Sequence, residues 1–179
     1  AECAAELVAA GADGIVTGVL TPAGALDLDA LRPIYAAARQ AAEKAHRTVD
    51  CTLHRAFDVC CDPFAALEAA KQLGLATILT SGQAASAPQG AALLRQLVEA
   101  AGREVEILVG AGVSADNIPA LAAQTGARAF HLSGKQVLDS RMTFRREGVP
   151  MGLSGFSEFE IWQTSEANIR AARTALDAL

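Results

Sequence analysis

Val49-Asp50-Cys51-Thr52-Leu53 runs directly into His54-Arg55-Ala56-Phe57-Asp58, so an apolar strand ends in an imidazole, a guanidinium and a carboxylate. Side chains at the carboxyl end of a strand are held by a rigid sheet while facing a loop open to ligand, which is where α/β proteins place their chemistry. Four more apolar runs repeat the arrangement: Gly14 to Leu20, Ala76 to Ser81, Val105 to Gly110 and Ala127 to Ser133. Each gives way to glycine or polar residues, and helical stretches separate them, the period of βα units. Asp62-Pro63 predicts a capped helix start and Gly74 its end after Leu73. Pro88 opens a helical stretch to Ala101, Gly126 closes the one after Ser114, and Gly11 closes the first. Pro119 suits a first turn only, so that helix is expected to begin near Asn117.

Strands joined by helices of this length run parallel, and parallel sheets are covered on both faces or closed into a barrel. Parity separates the two. Asp50, Thr52 and His54 share one face of their strand while Val49, Cys51 and Leu53 share the other. In the last run Phe130 and Leu132 take the apolar side, leaving Ala129, His131 and Ser133 opposite. Small and polar residues on one face favour a barrel interior, with both histidines inward. A (β/α)8 barrel needs eight units and typically about 250 residues, whereas five units are visible in these 179 residues. The expectation is a single domain, 1–179, forming the C-terminal part of a TIM barrel that lacks roughly 70 residues.

Hydrophobic residues make up 51% and aromatics only 4%, which suits close helix-on-sheet packing. With a net charge of -5 and no basic cluster longer than Arg145-Arg146, a nucleic-acid partner is not expected. No apolar run reaches the roughly 18 residues of a membrane span, so the expected address is cytoplasmic. Cys3, Cys51, Cys60 and Cys61 lack the spacing of a zinc site and read as reduced thiols.

At the strand ends, His54 is a candidate proton carrier or metal ligand, Arg55 a fork for a carboxylate or phosphate, and Asp58 the group that orients one of them. Arg55 and Asp58 can equally form an ion pair that braces the loop. Ser81-Gly82 and Gly110-Ala111-Gly112 follow strands and precede helices, so their N–H groups are candidates to gather around an anion. His131 and Ser133 are expected at the barrel mouth. His46, beside Lys44 and Arg47, reads as solvated.

From Gly11 to Gly152 the chain resembles the CutC copper-homeostasis family. The segments that carry the resemblance are Gly11-Ala12-Asp13-Gly14-Ile15-Val16 with Gly18-Val19-Leu20, His54-Arg55-Ala56-Phe57-Asp58, Leu79-Thr80-Ser81-Gly82-Gln83, Gly110-Ala111-Gly112-Val113, His131-Leu132-Ser133 and Ser140-Arg141-Met142-Thr143-Phe144-Arg145. The resemblance implies a TIM barrel in which the five strands are strands four to eight, followed by a C-terminal extension. It also implies a copper-homeostasis role, binding or trafficking Cu(I). Family cysteines proposed to bind copper lie mostly in the N-terminal third, which this sequence does not include. Thr17 stands where relatives usually carry an aromatic, and Gly134-Lys135 replaces the commoner small residue and arginine.

Cu(I) favours thiolate and imidazole ligands. Parity separates Cys51 from His54, leaving Cys60 or Cys61 with His54 as the candidate copper site. The alternative is a TIM-barrel enzyme or sensor for a small anionic metabolite, a phosphorylated one included, bound at the C-terminal ends of the strands. No reaction type follows from these residues. Unpaired edges of a five-strand sheet lead to the expectation of a homo-oligomer.

Overall fold

Five short strands pair edge to edge in chain order, and the helices between them make every pairing parallel. The computed structural model describes residues 1–149, 151–152 and 157–179. Its elements are α1 (Glu2–Ala9), β1 (Gly14–Thr17), α2 (Leu28–Lys44), β2 (Asp50–Leu53), a 3₁₀ turn (Arg55–Val59), α3 (Pro63–Gln72), β3 (Thr77–Thr80), α4 (Ala91–Ala101), β4 (Glu106–Val109), α5 (Ile118–Thr125) and β5 (Ala129–Phe130). An antiparallel ribbon, β6 (Lys135–Asp139) with β7 (Glu160–Thr164), and helix α6 (Glu166–Asp177) complete it. A doubly wound sheet reverses its strand order at a switch point; the uninterrupted order β1 to β5 is that of a TIM barrel wall.

The two sheet faces differ as parity requires. Ile15, Cys51, Leu53, Ile78, Ile107 and Val109 are buried against the helices, in rows set by the pairings Ile15 with Cys51, Leu53 with Ile78, and Ile78 with Ile107. On the other face Thr52, Leu79 and Leu108 are half-buried and Val16 is 62% exposed. That is the face a closed barrel fills from strands across its axis.

Helix boundaries follow the expected chemistry. Asp62 accepts from the Phe64 and Ala65 N–H groups at 2.9 and 3.0 Å, and Pro63 takes the first turn of α3. Asn117 precedes α5, which places Pro119 in its first turn, and Gly126 closes it with φ +74. The stretch from Pro88 begins as a turn, and α4 starts at Ala91.

Helix carboxyl ends are closed by cations reaching from elsewhere, a device with no local sequence signature. Arg47 donates to the Val8, Gly11 and Ala12 carbonyls after α1. Arg39 of α2 donates to the Leu73 and Gly74 carbonyls after α3, and Lys71 of α3 to the Ala100 carbonyl of α4. Each satisfies orphan carbonyls and meets the negative end of a helix dipole. Arg47 therefore braces the fold, while His46 beside it is exposed with φ 54.

The loop after β3 is locked to the start of α4 by two glycines. A Cβ on Gly90 would lie 1.9 Å from the Ser81 carbonyl oxygen, and one on Gly82 2.4 Å from the Gly90 oxygen. Gly90 has an ordinary φ of -89, so the cost of Gly90→Ala is purely steric; at Gly126, where a Cβ meets nothing closer than 3.7 Å, the cost of alanine is torsional. Urea unfolding should show a loss of about 3 kcal/mol for Gly90→Ala against about 1 kcal/mol for Gly126→Ala. Equal midpoints for the two variants would refute the backbone contact.

Candidate functional site

Strand β2 stops at Leu53, and the chain then turns. The strand alternation that separates His54 from Arg55 therefore no longer applies at Arg55, whose side chain crosses to the end of β3. His54 caps the 3₁₀ turn: its Nδ1 accepts the Ala56 N–H at 3.1 Å. A neutral ring accepting at Nδ1 carries its proton on Nε2, so His54 offers a fixed N–H donor. Its ring packs where a Gly18 side chain would sit, with Nδ1 and Cε1 2.9 Å from that Cβ position.

Asp58, at the end of the same turn, sends its side chain across to the β3 loop and is 5% exposed there. Oδ1 accepts from Thr80 Oγ1 at 2.5 Å, from the Ser81 N–H at 3.0 Å and from the Gln83 N–H at 3.2 Å. Oδ2 accepts from Arg55 Nε at 2.6 Å and Ser81 Oγ at 2.9 Å. Burial alone would raise this carboxyl, but the hydrogen bonds from Thr80, Arg55 and Ser81 prevail and hold it below the usual carboxylate range. The anion expected in the Ser81-Gly82 loop is thus supplied by the protein itself. Gly82 has no room for a ligand either: its N–H donates to Thr80 Oγ1, and Gly90 lies against it.

Arg55 is the group this network aims. Nε is held by Asp58, one Nη2 hydrogen by Ser81 Oγ at 3.0 Å, and a guanidinium has five N–H donors. Its side chain is 45% exposed and forms part of a cleft of about 760 Å³ over the ends of β3, β4 and β5. Leu79, Gly112, Ser114, His131 and Ser133 line the same cleft. Among the described residues no acceptor meets the N–H groups of Ala111, Gly112 or Val113 on its wall. Ala111 holds φ +72, a conformation alanine seldom adopts. Asn117 fixes this loop from both sides, accepting from the Ser114 N–H and donating to the Gly112 carbonyl.

The candidate residues therefore divide. Arg55, Gly112, His131 and Ser133 meet in the cleft. Asp58 and Ser81 stand behind Arg55, while Gly82 packs in the fold. Gly110 leaves room for Leu79, whose Cδ1 would lie 2.7 Å from a Cβ there. His54 is not part of the cleft lining: extending the register places it beside Leu79 on the inner face, one layer below His131. Lys135 and Asn168, unnoticed as site residues in the sequence, line the cleft from the ribbon and α6. The only sequence signal for Lys135 was its departure from the usual arginine.

The thiols are poorly arranged for copper. Cys60 is buried, its Sγ meets Gln83 Nε2 at 3.4 Å, and burial pushes its thiol up; Cys61 is exposed beside Gly24. Among the described residues no group of three or more His, Cys, Asp or Glu side chains is placed to hold a metal ion. The set His54, Cys60 and Cys61 does not fit Cu(I) in this arrangement.

Because the Asp58 carboxyl titrates lower in the folded chain than in the unfolded one, its stabilisation is complete above about pH 4 and is lost as pH falls through the folded value. Asp58→Asn places an NH₂ donor against other donors. Denaturation near neutral pH should show a loss of about 2–3 kcal/mol for the variant, and its deficit should shrink below pH ~4. A deficit independent of pH would remove the charge from the explanation.

Comparison with known proteins agrees with this architecture. The sequence profile of the CutC family matches residues 3–136. A family protein CutC from Chromobacterium violaceum is 44% identical over 167 residues, covering 93% of this chain and 64% of the relative. One from Parabacteroides distasonis is 42% identical over 159 residues, covering 88% and 62%. This chain thus spans a little under two thirds of the length of those relatives. Among solved structures, a CutC protein from Streptococcus agalactiae, named for copper homeostasis, superposes with a TM-score of 0.65 at 27% identity, over 73% of this chain and 60% of that one. The chain belongs to the CutC family.

Proposed function

We propose that this chain serves copper homeostasis, the role for which its solved relative is named, as a cytoplasmic protein that binds a small anionic metabolite at the C-terminal ends of its strands. Its five βα units are strands four to eight of the barrel. The observation that carries this reading is the Arg55 fork. Two of its donors are fixed by Asp58 and Ser81, and it borders the cleft beside the unclaimed N–H groups of the Ala111-Gly112-Val113 turn. A guanidinium preorganised in this way loses little entropy on meeting a carboxylate or phosphate. His131 and Ser133, on the same lining, are available to orient the ligand body.

A second reading, direct Cu(I) carriage, rests on the name of the relative and on the exposed thiol of Cys61. Buried Cys60 opposes it, because a thiol must lose its proton to bind copper. No helix among the described residues is long and apolar enough to cross a membrane.

The readings part in one set of titrations. Calorimetry with inorganic phosphate should give binding that weakens about tenfold or more in Arg55→Ala and is unchanged in Cys60→Ser and Cys61→Ser. Competition with a Cu(I) chelator should show no tight site in the chain. Tight Cu(I) binding abolished by the serine substitutions, with phosphate ignored, would reverse the assignment.

A further inference from the structure

Past β5 the chain does not enter its helix at once but rises into the β6–β7 ribbon, and the base of that ribbon is the rim of the cleft. The Ser165 N–H donates to the Gly134 carbonyl at 2.9 Å, Thr164 Oγ1 to the Ser133 carbonyl at 3.2 Å, and Asn168 Nδ2 to the Gly134 and Lys135 carbonyls at 3.3 and 3.2 Å. Gly134 lets α6 close on this rim, since a Cβ there would fall 2.4 Å from Ile169 Cδ1. The backbone of Lys135 is consequently held at one edge of the cleft. Its ammonium lies over the Trp162 ring, 4.0 Å from the centroid.

Arg55, from the turn after β2, and Lys135, from the start of the ribbon after β5, thus line one cleft. Between the end of β2 and the end of β5 lie three strand intervals, roughly 14 Å along the sheet. The lining between the two cations includes Leu79, Val113 and Leu132. We infer that the cleft takes a ligand with two acidic ends, one on the Arg55 fork and the other on Lys135, which exchanges its contact with Trp162 for the ligand's oxyanion. This rests on the anion-binding reading above and adds the second contact. The shared ligand chemistry is a short carbon chain bearing an oxyanion at each end, carboxylate or phosphate.

Trp162 is the single tryptophan of the chain, so tryptophan emission comes from the one ring against which Lys135 lies. The full chain is titrated at low salt with glutarate and propanediol bisphosphate, and with their one-ended counterparts butyrate and propyl phosphate. The two-ended probe of at least one pair should bind about five-fold tighter than its counterpart, the value of one exposed charge pair of about 1 kcal/mol, and should change Trp162 emission. Which pair shows the advantage tells carboxylate from phosphate. Lys135→Ala should abolish the advantage and leave the one-ended probes unaffected, and Lys135→Arg should restore it. Equal affinity for one-ended and two-ended probes in both pairs, or an advantage that survives Lys135→Ala, overturns the inference while leaving the Arg55 site intact. Failure of all four probes to bind would bring down the anion-binding reading itself, and this inference with it.

Discussion

The arrangement of the strand ends depends on one carboxylate. Asp58 leaves the turn after β2, enters the loop after β3, and takes hydrogen bonds from Thr80, Ser81, Gln83 and Arg55. The donors of Thr80 and Ser81 come from groups that would otherwise be costly to bury unpaired. A single side chain therefore joins two βα units, shapes the turn containing Gly82, and sets the direction of Arg55. Loop, charge and cleft wall are consequences of the same few contacts, which is why the cation presented to a ligand is well placed although it sits at the protein surface.

The βα period, the helix cap at Asp62, the start of α5 after Asn117, and the sheet parity were legible because each is set by residues close in sequence. Cys51 and Leu53 face the helices as alternation requires, and the strand order follows from the length of the crossovers. What could not be read locally were pairings across long separations. The Arg55–Asp58 pair could be read locally, but nothing near Asp58 announces that its remaining donors are Thr80, Ser81 and Gln83, more than twenty positions away, and nothing near Arg39 or Lys71 marks the helix ends they close. The β6–β7 ribbon also escaped notice: its apolar residues come as adjacent pairs, Val137-Leu138 and Ile161-Trp162, which carry no strand alternation, and Val137 pairs with a Trp162 far along the chain. Its first residue, Lys135, was visible only as a departure from relatives.

The two histidines show how parity can be right and a site still not form from it. Both belong to the inner side of the sheet, yet β3 and β4 separate them and the register sets them one layer apart, with Leu79 between. Only His131 reaches the cleft. His54 is further restricted by its cap: binding a metal at Nε2 would move the ring proton to Nδ1, against the Ala56 N–H that Nδ1 now accepts. The imidazole that looked most reactive in the sequence thus has one nitrogen committed to the backbone, and copper coordination there would cost the turn its cap.

A net charge of -5 would seem to oppose an anionic ligand, but the distribution of charge matters more than its sum. Salt screens interactions beyond about 8 Å at physiological ionic strength, so a bound anion would respond chiefly to the groups lining the cleft. Many cations elsewhere are engaged with partners. Arg39, Arg47 and Lys71 are bound to helix carbonyls, Arg95, Arg170 and Arg173 pair with acids one turn away, and Arg145 is held by Asp139. At the cleft the sum is close to even: Arg55 keeps donors beyond those taken by Asp58 and Ser81, Lys135 lines the edge with its ammonium over Trp162, Asp116 is a carboxylate on the wall, and Asp58 pairs with Arg55 from behind. Asp58 offsets the charge of Arg55, but it meets the guanidinium from inside the fold, where Thr80, Ser81 and Gln83 also donate to it, and it is not part of the cleft lining. What the acidic protein presents at this mouth is therefore a set of directed N–H donors rather than an excess of positive charge: the neutralisation of Arg55 by Asp58 happens inside the fold, where it also fixes the geometry of the guanidinium that faces the cleft.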